Sequence, residues 1–194
     1  MKSIEELRED LETLCILRGD FTLASGKKSN YYYNGKAAML SGKVKIHLAR
    51  ALLKLAEGID FDVVGGPAVG AVPLVEHMSI VSALEKDHTF DTFYVRSETK
   101  QHGTASSLYQ AKKFNGNDTL IKNTKALIVE DTLTTGGSIQ VALKAVEEIG
   151  AEVAGVLIVA DRQDSDADWI RNQYDYRALF NVSNSGHLIN PSAN

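Results

Sequence analysis

The sequence predicts an α/β domain built on a parallel β-sheet with helices on both faces. Three observations carry this. From about residue 61 onward, strand-like and helix-like segments alternate. The strand-like segments are apolar throughout, as strands covered on both faces must be. The chain has 194 residues and 44% hydrophobic content, which suits one domain with a sizeable core.

Each element follows from a local pattern. Ser3 and Glu6 have capping-box spacing ahead of Ile4, Leu7, Leu11 and Leu14, so residues 3–17 form an amphipathic helix. Phe21 to Ser29 reads as a short strand broken by a turn, and Tyr31, Tyr32 and Tyr33 favour strand again. Residues 42–57 place Val44, Leu48, Leu52 and Leu55 on one side of a helix. Phe61–Val64 is a short apolar strand ended by Gly65 and Gly66. A helix over Ala71–Glu85 follows, with Pro73 tolerated in its first turn. Thr89–Val95, Lys125–Val129 and Val153–Ala160 are further strands. Ser138–Ile149 is a helix that Gly150 terminates. The C-terminal stretch holds a short helix, Asp166–Tyr174, and a strand, Tyr176–Val182. Residues 97–124 are polar and lack periodicity, which marks a long loop of the kind that often carries function.

Bulk properties limit the partners. The net charge of −4 gives no global positive field for nucleic acid or an anionic membrane. Cys15 is the only cysteine, so an intrachain disulfide is impossible. Glu5, Glu6, Glu9, Asp10 and Glu12 break any apolar leader near the N-terminus, and no apolar run approaches the ~20 residues of a membrane span. A cytoplasmic protein that binds neither nucleic acid nor membrane is the expectation.

The chemistry concentrates in residues 126–138, where the apolar run Ala126–Val129 leads into Glu130, Asp131, Thr132, Leu133, Thr134, Thr135, Gly136, Gly137 and Ser138. In a parallel sheet this loop lies at the carboxyl end of a strand, where ligands bind. Its backbone N–H groups, its hydroxyls and the N-terminus of the following helix make a phosphate cradle. The paired acids would repel phosphate but suit ribose hydroxyls and a nearby Mg²⁺. An ordinary turn with Asp131 as a cap is the bland alternative, yet two adjacent acids ending a buried strand are costly without a partner. Neither a Walker A loop nor the dinucleotide Gly-x-Gly-x-x-Gly pattern occurs.

The 126–138 segment resembles the phosphoribosyl diphosphate (PRPP) loop of the type I phosphoribosyltransferases, and the flanking motifs are most similar to the orotate enzymes. The resemblance runs from Phe21 to Arg162. It implies a type I phosphoribosyltransferase core over about 42–162, with a small hood from about 1–41 plus 163–194. It also implies that Glu130 and Asp131 hold the ribose 2- and 3-hydroxyls, that Thr132 to Ser138 hold the 5-phosphate, and that Thr134 sits close to orotate.

Other segments take their roles from the same resemblance. Gly70, in the glycine-rich run Gly65–Pro73, would lie against the diphosphate; alone this run is equally an ordinary strand-to-helix turn. Arg96, Lys100 and His102 match the spacing of a catalytic loop that closes over the neighbouring subunit's site, which implies a homodimer with shared sites; in isolation they read as a solvated charged loop. Tyr32 and Tyr33 match aromatic positions beside orotate, and Lys27 lies in the same stretch, although aromatic runs in strands are usually core. Arg162 would bind the orotate carboxylate, for which a planar guanidinium is suited; Asp161 is a competing partner for it. Mg²⁺ would arrive carried by PRPP, with no direct protein ligand.

The sequence departs from the orotate pattern in three places. Ala24 and Ser97 stand where lysines are usual, and Thr104–Gln110 replaces a glycine-containing motif. Each lost cation removes ~1–3 kcal/mol of grip if it made a charged hydrogen bond. Lys27 or Lys28 can compensate for the first. The implied activity is transfer of phosphoribose from PRPP to orotate in UMP biosynthesis. The rivals are a phosphoribosyltransferase for another base and a non-catalytic regulator that senses PRPP.

Overall fold

Residue parity along the central strands decides which helix covers which face. The computed structural model describes residues 2–22, 26, 28–96, 108–110 and 117–191. In chain order it opens with α1 (Ile4–Cys15), the hairpin β1 (Ile16–Thr22) and β2 (Lys28–Tyr33), and α2 (Gly35–Leu40). There follow α3 (Lys45–Leu55), β3 (Val63–Pro67), α4 (Ala71–Lys86), β4 (Asp91–Val95) and β5 (Leu108–Gln110). The remainder is β6 (Lys125–Leu133), α5 (Gly137–Glu148), β7 (Glu152–Asp161), a 3-10 turn, α6 (Asp168–Gln173), β8 (Tyr176–Val182) and β9 (Leu188–Ile189).

The main sheet has seven strands in the order β5-β4-β3-β6-β7-β8-β9. Strands β4, β3, β6, β7 and β8 are parallel, and β5 and β9 are antiparallel edges. Val64, Leu127, Val129, Leu157 and Val159 face one layer, filled by Leu48 and Leu52 of α3 and by Leu74 and Met78 of α4. Their neighbours Val63, Ala126, Ile128, Val156 and Ile158 face the other layer, filled by Ile139, Leu143 and Val146 of α5 and by Ile170 of α6. Period-2 alternation in strands buried on both sides therefore makes two cores. Ser3 caps α1 in a complete capping box with Glu6, which fixes where that helix starts.

The structure extends or corrects several sequence expectations. Strand β6 runs on to Leu133, because Thr132 and Leu133 still pair with Ala160 and Asp161 of β7. The acids therefore belong to the strand rather than to a loop after it. Helix α2 was not foreseen. In the C-terminal segment β8 pairs with β7 inside the central sheet, and the chain beyond it turns back to meet α1 and β1. There the Leu188 N–H donates to Glu12 at 2.7 Å. Within residues 97–124, β5 pairs with β4 and Leu120 is buried in the second core.

Close strand packing requires glycine on β3. A Cβ on Gly66 would stand 2.1 Å from the Val129 carbonyl oxygen, and one on Gly65 would stand 2.4 Å from that of Phe93. Gly66→Ala is expected to cost at least about 1–3 kcal/mol, since backbone rather than a mobile side chain must yield. Urea unfolding with an unchanged slope and a lowered midpoint is the result to look for.

Candidate functional site

The strand order places the site. Neighbouring strands β3 and β6 lead into helices on opposite faces, α4 into the first core and α5 into the second. A crevice opens outside the carboxyl ends of two such strands, and ligands of parallel α/β sheets bind there. The end of β3 supplies Ala68 to Gly70, with a cis peptide between Ala68 and Val69. The end of β6 supplies Glu130 to Gly136.

Glu130 and Asp131 are 4% and 8% exposed. Bare backbone surrounds their carboxylates. A Cβ on Gly70 would lie 2.5 Å from Glu130 Oε1 and 3.0 Å from Asp131 Oδ1, and one on Gly35 would lie 2.6 Å from Asp131 Oδ2. The Asp131 N–H donates to Glu130 Oε1 at 3.2 Å. Among the described residues no cation pairs with either acid. Burial first, and the Asp131 charge second, hold the Glu130 carboxyl well above the usual carboxylate range. The Asp131 N–H and the Ser138 hydroxyl donate to Glu130, but among the described residues no cation joins the pair, so its desolvation is only partly repaid.

Beyond Leu133 the chain forms the Thr/Gly loop. Gly136 has φ +82°, and a Cβ there would sit 2.6 Å from Ile170 Cδ1, so both conformation and packing on α6 demand glycine. Helix α5 has no side-chain cap and no acid in its first turn. Its first amides are therefore available to an anion. Thr135, Gly137 and Ser138 are exposed, and Thr132 and Thr134 are half-buried. Leu133 buries its side chain in the second core, and its carbonyl accepts the Arg162 N–H at 2.9 Å, so it can offer a ligand only backbone.

That last bond brings Arg162 to the edge of the site, with its guanidinium 5.4 Å from the centre of the Tyr31 ring. Arg162 does not pair with Asp161. The fully buried Asp161 carboxylate is taken by Arg171 at 2.7 Å and the Tyr176 hydroxyl at 2.6 Å. Burial alone would raise Asp161, but hydrogen bonds from Arg171 and Tyr176 outweigh it and hold the acid below its ordinary value.

The two tyrosines at the end of β2 differ in exposure, as adjacent residues on opposite faces of a strand do. Tyr32 is 43% exposed and lies against Phe21 at 5.8 Å. Tyr33 is 5% exposed, packed in the first core, and its hydroxyl has no hydrogen-bond partner. Burial, then the neighbouring Cys15 and Asp131, push that phenol well up. Arg96 follows β4, where it donates to the Tyr109 hydroxyl at 3.0 Å beside a Tyr94–Tyr109 stack. Lys27, Lys100 and His102 lie outside the described residues, as do Ala24 and Ser97. The structure therefore gathers Gly70, the 130–138 segment and Arg162. It adds Gly35 and Tyr31, which sequence reasoning missed; the burial of alternate tyrosines was the available signal for Tyr31.

A parallel sheet with acids, a glycine-rich turn and an uncapped helix start at its switch point defines a sugar-phosphate-binding α/β protein. Comparison with known proteins narrows this. Residues 38–187 match the phosphoribosyl transferase domain. The orotate phosphoribosyltransferase of Pyrococcus furiosus is 37% identical over 171 residues, 87% of this chain and 86% of that protein. That of Rhodopseudomonas palustris is 35% identical over 91% of this chain and 92% of its own length. The Mycobacterium tuberculosis orotate phosphoribosyltransferase superposes with a TM-score of 0.77 at 30% identity, covering 94% of this chain and 98% of that one. The same enzyme in complex with PRPP gives a TM-score of 0.73 at 28% identity, with the same coverage. The chain belongs to the phosphoribosyltransferase family, in its orotate phosphoribosyltransferase branch.

Two outcomes follow from the electrostatics. The raised Glu130 favours folding below its ordinary value of 4.5, and that contribution disappears as pH rises through the raised value. The unliganded protein should thus lose thermal stability with rising pH in a way that Glu130→Gln flattens. Asp161 has the opposite sign, contributing above its unfolded value and losing that contribution as pH falls through the lowered one. Asp161→Asn, which removes the buried partner of Arg171 and leaves it only Asp168 and the Asp164 carbonyl, should cost about 3 kcal/mol in denaturant unfolding at neutral pH.

Proposed function

We infer that this protein transfers the phosphoribosyl group of PRPP to orotate, giving orotidine 5-phosphate and pyrophosphate, within UMP biosynthesis. The observation that carries the reading is the buried, cation-free pair Glu130 and Asp131, set between Gly70 and Gly35 beside an uncapped helix start. The M. tuberculosis relative in complex with PRPP supports it.

Each part of PRPP has a matching group. The two carboxylates accept hydrogen bonds from the ribose hydroxyls, whose donors repay their burial. Thr132, Thr134, Thr135, Gly136, Gly137 and Ser138, with the first amides of α5, surround the 5-phosphate. The backbone at Gly70 faces the diphosphate. Arg162 offers the orotate carboxylate a planar pair of donors, Thr134 borders the base, Tyr32 is exposed on the hairpin, and Lys27 is assigned to the base as well.

In the reaction the bond from ribose C1 to the diphosphate oxygen breaks and a bond from C1 to an orotate nitrogen forms. Positive charge develops on the ribose as the diphosphate leaves. Asp131 and Glu130 hold the ribose and lie close enough to offset that charge. Arg96, Lys100 and His102 take up the charge on the leaving diphosphate, so catalysis rests on positioning and electrostatics without a covalent intermediate. Tyr109 steadies Arg96. Mg²⁺ carried in by PRPP fits a pair of carboxylates without a cation. Among the described residues no cluster of three or more acids, histidines or cysteines exists to hold such an ion alone. When bound, the ion neutralises diphosphate charge. We assign the active form as a homodimer in the cytoplasm, with loop cations reaching the partner's site. No helix among the described residues is long and apolar enough to cross a membrane.

The test is an absorbance assay of orotate consumption with PRPP and Mg²⁺, with adenine, hypoxanthine, uracil and nicotinate as alternatives. Turnover is expected on orotate alone. Lys100→Ala should abolish most of it. Arg162→Ala should raise the orotate KM by about ten- to a hundredfold, the worth of a charged hydrogen bond, while the PRPP KM stays close to wild type. Turnover on another base, or PRPP binding with no turnover on any, contradicts the reading.

A further inference from the structure

Arg162 is held in a way that leaves its charge unspent. Its sequence neighbour Asp161 is the obvious carboxylate for it, but that group has no capacity left. Asp161 accepts from Arg171 Nε at 2.9 Å and a terminal Arg171 nitrogen at 2.7 Å, from the Tyr176 hydroxyl at 2.6 Å, and from the Gln163 N–H and Nε2, both at 2.8 Å. Those donors occupy the lone-pair positions of a carboxylate. Among the described residues no other acid reaches Arg162, and what its guanidinium meets is the Tyr31 ring, 5.4 Å away.

Tyr31 is fixed from several sides. It is 8% exposed. On β2 it pairs with Arg18 of β1. The Gly186 backbone lies against its ring, where a Cβ would come within 2.4 Å of Cγ. Gly186 has φ +75°, so the turn both conforms to and touches the ring only as glycine. That turn is closed by the Ser183 N–H donating to the His187 carbonyl at 2.8 Å, and by Arg18 donating to the Ser185 carbonyl.

We propose that Tyr31 is a positioning residue for Arg162, presetting the guanidinium at the end of β7 for the carboxylate of the incoming base, with the Gly186 turn locking the ring. This rests on the reading of Arg162 as the group that binds the orotate carboxylate. The physical advantage is specific to an aromatic support. A carboxylate partner would neutralise the arginine and occupy its in-plane donors. A ring beneath the guanidinium attracts the cation through its π-face, leaving the charge and the donors in the guanidinium plane for a planar anion. Pre-ordering removes freedom that the arginine would otherwise lose on binding.

The experiment compares steady-state constants for Tyr31→Phe, Tyr31→Leu, Arg162→Ala and the double variant Tyr31→Leu/Arg162→Ala, each checked for a cooperative thermal transition. Tyr31→Phe keeps the ring and should behave as wild type. Tyr31→Leu should raise the orotate KM by about five- to tenfold, with the PRPP KM changed by less than about twofold. In the Arg162→Ala background the same leucine should add little, because the residue it acts through is gone. A folded Tyr31→Leu with wild-type orotate KM overturns the proposal, as does an equal increment with and without Arg162. If Arg162→Ala itself leaves the orotate KM unchanged, the assignment of Arg162 fails and the proposal falls with it. Gly186→Ala, which presses on the ring from the turn, is the second variant should Tyr31→Leu not fold, and the same rise in orotate KM is expected of it.

Discussion

Two carboxylates buried side by side, with no cation beside them among the described residues, are the constraint around which the rest of the molecule is arranged. Glu130 and Asp131 lie near the carboxyl end of the central strand β6, and Gly70 before α4 and Gly35 starting α2 pack closely against them. A folded protein gains nothing from this arrangement by itself, because burial raises Glu130 far above its ordinary range. The surrounding cores, built on both faces of a seven-stranded sheet, must tolerate it. Sites that bind charged or polyhydroxylic ligands commonly accept such a local cost in exchange for affinity.

Contrast with Asp161 sharpens the point. One strand away, a carboxylate with even less exposure is supplied with Arg171, Tyr176 and Gln163 as partners and is held low. The same fold therefore gives one buried acid a cation and, among the described residues, gives none to the other two. The difference is position. Asp161 is covered by α6, whereas Glu130 and Asp131 face the crevice between β3 and β6. Full satisfaction of Asp161 has a second effect, since it leaves the adjacent arginine without an acid among the described residues and against the Tyr31 ring of the N-terminal hairpin. Segments far apart in sequence thus meet at the crevice, through Gly35 at Asp131 and through Tyr31 at Arg162.

Much of this was legible in the chain. Apolar runs gave the central strands, the Ser3–Glu6 spacing gave the first helix, and the 126–138 segment marked the crevice at the carboxyl end of β6. What escaped had physical reasons. The end of β6 was hidden because polar residues inside a strand are read as its stop, while pairing with β7 carries it to Leu133. Helix α2 is six residues long, too short for periodicity to announce it. The side to which each tyrosine points depends on strand parity and on what packs behind, and Tyr33 turned inward toward Cys15. The partner of Asp161 came from Arg171, ten residues on in sequence, and no local pattern marks that pair. The pairing of β8 with β7 is set by tertiary contacts, which no local pattern announces.

Thermal unfolding of the double variant Glu130→Gln/Asp131→Asn, with and without Mg²⁺ and PRPP, measures what the two buried acids cost the fold and what they return on binding. The unliganded variant should melt above the unliganded wild type at neutral pH, and PRPP should raise the melting temperature of the wild type but not of the variant. A variant that melts lower than wild type without ligand, or that gains as much as wild type from PRPP, would contradict this account of the pair.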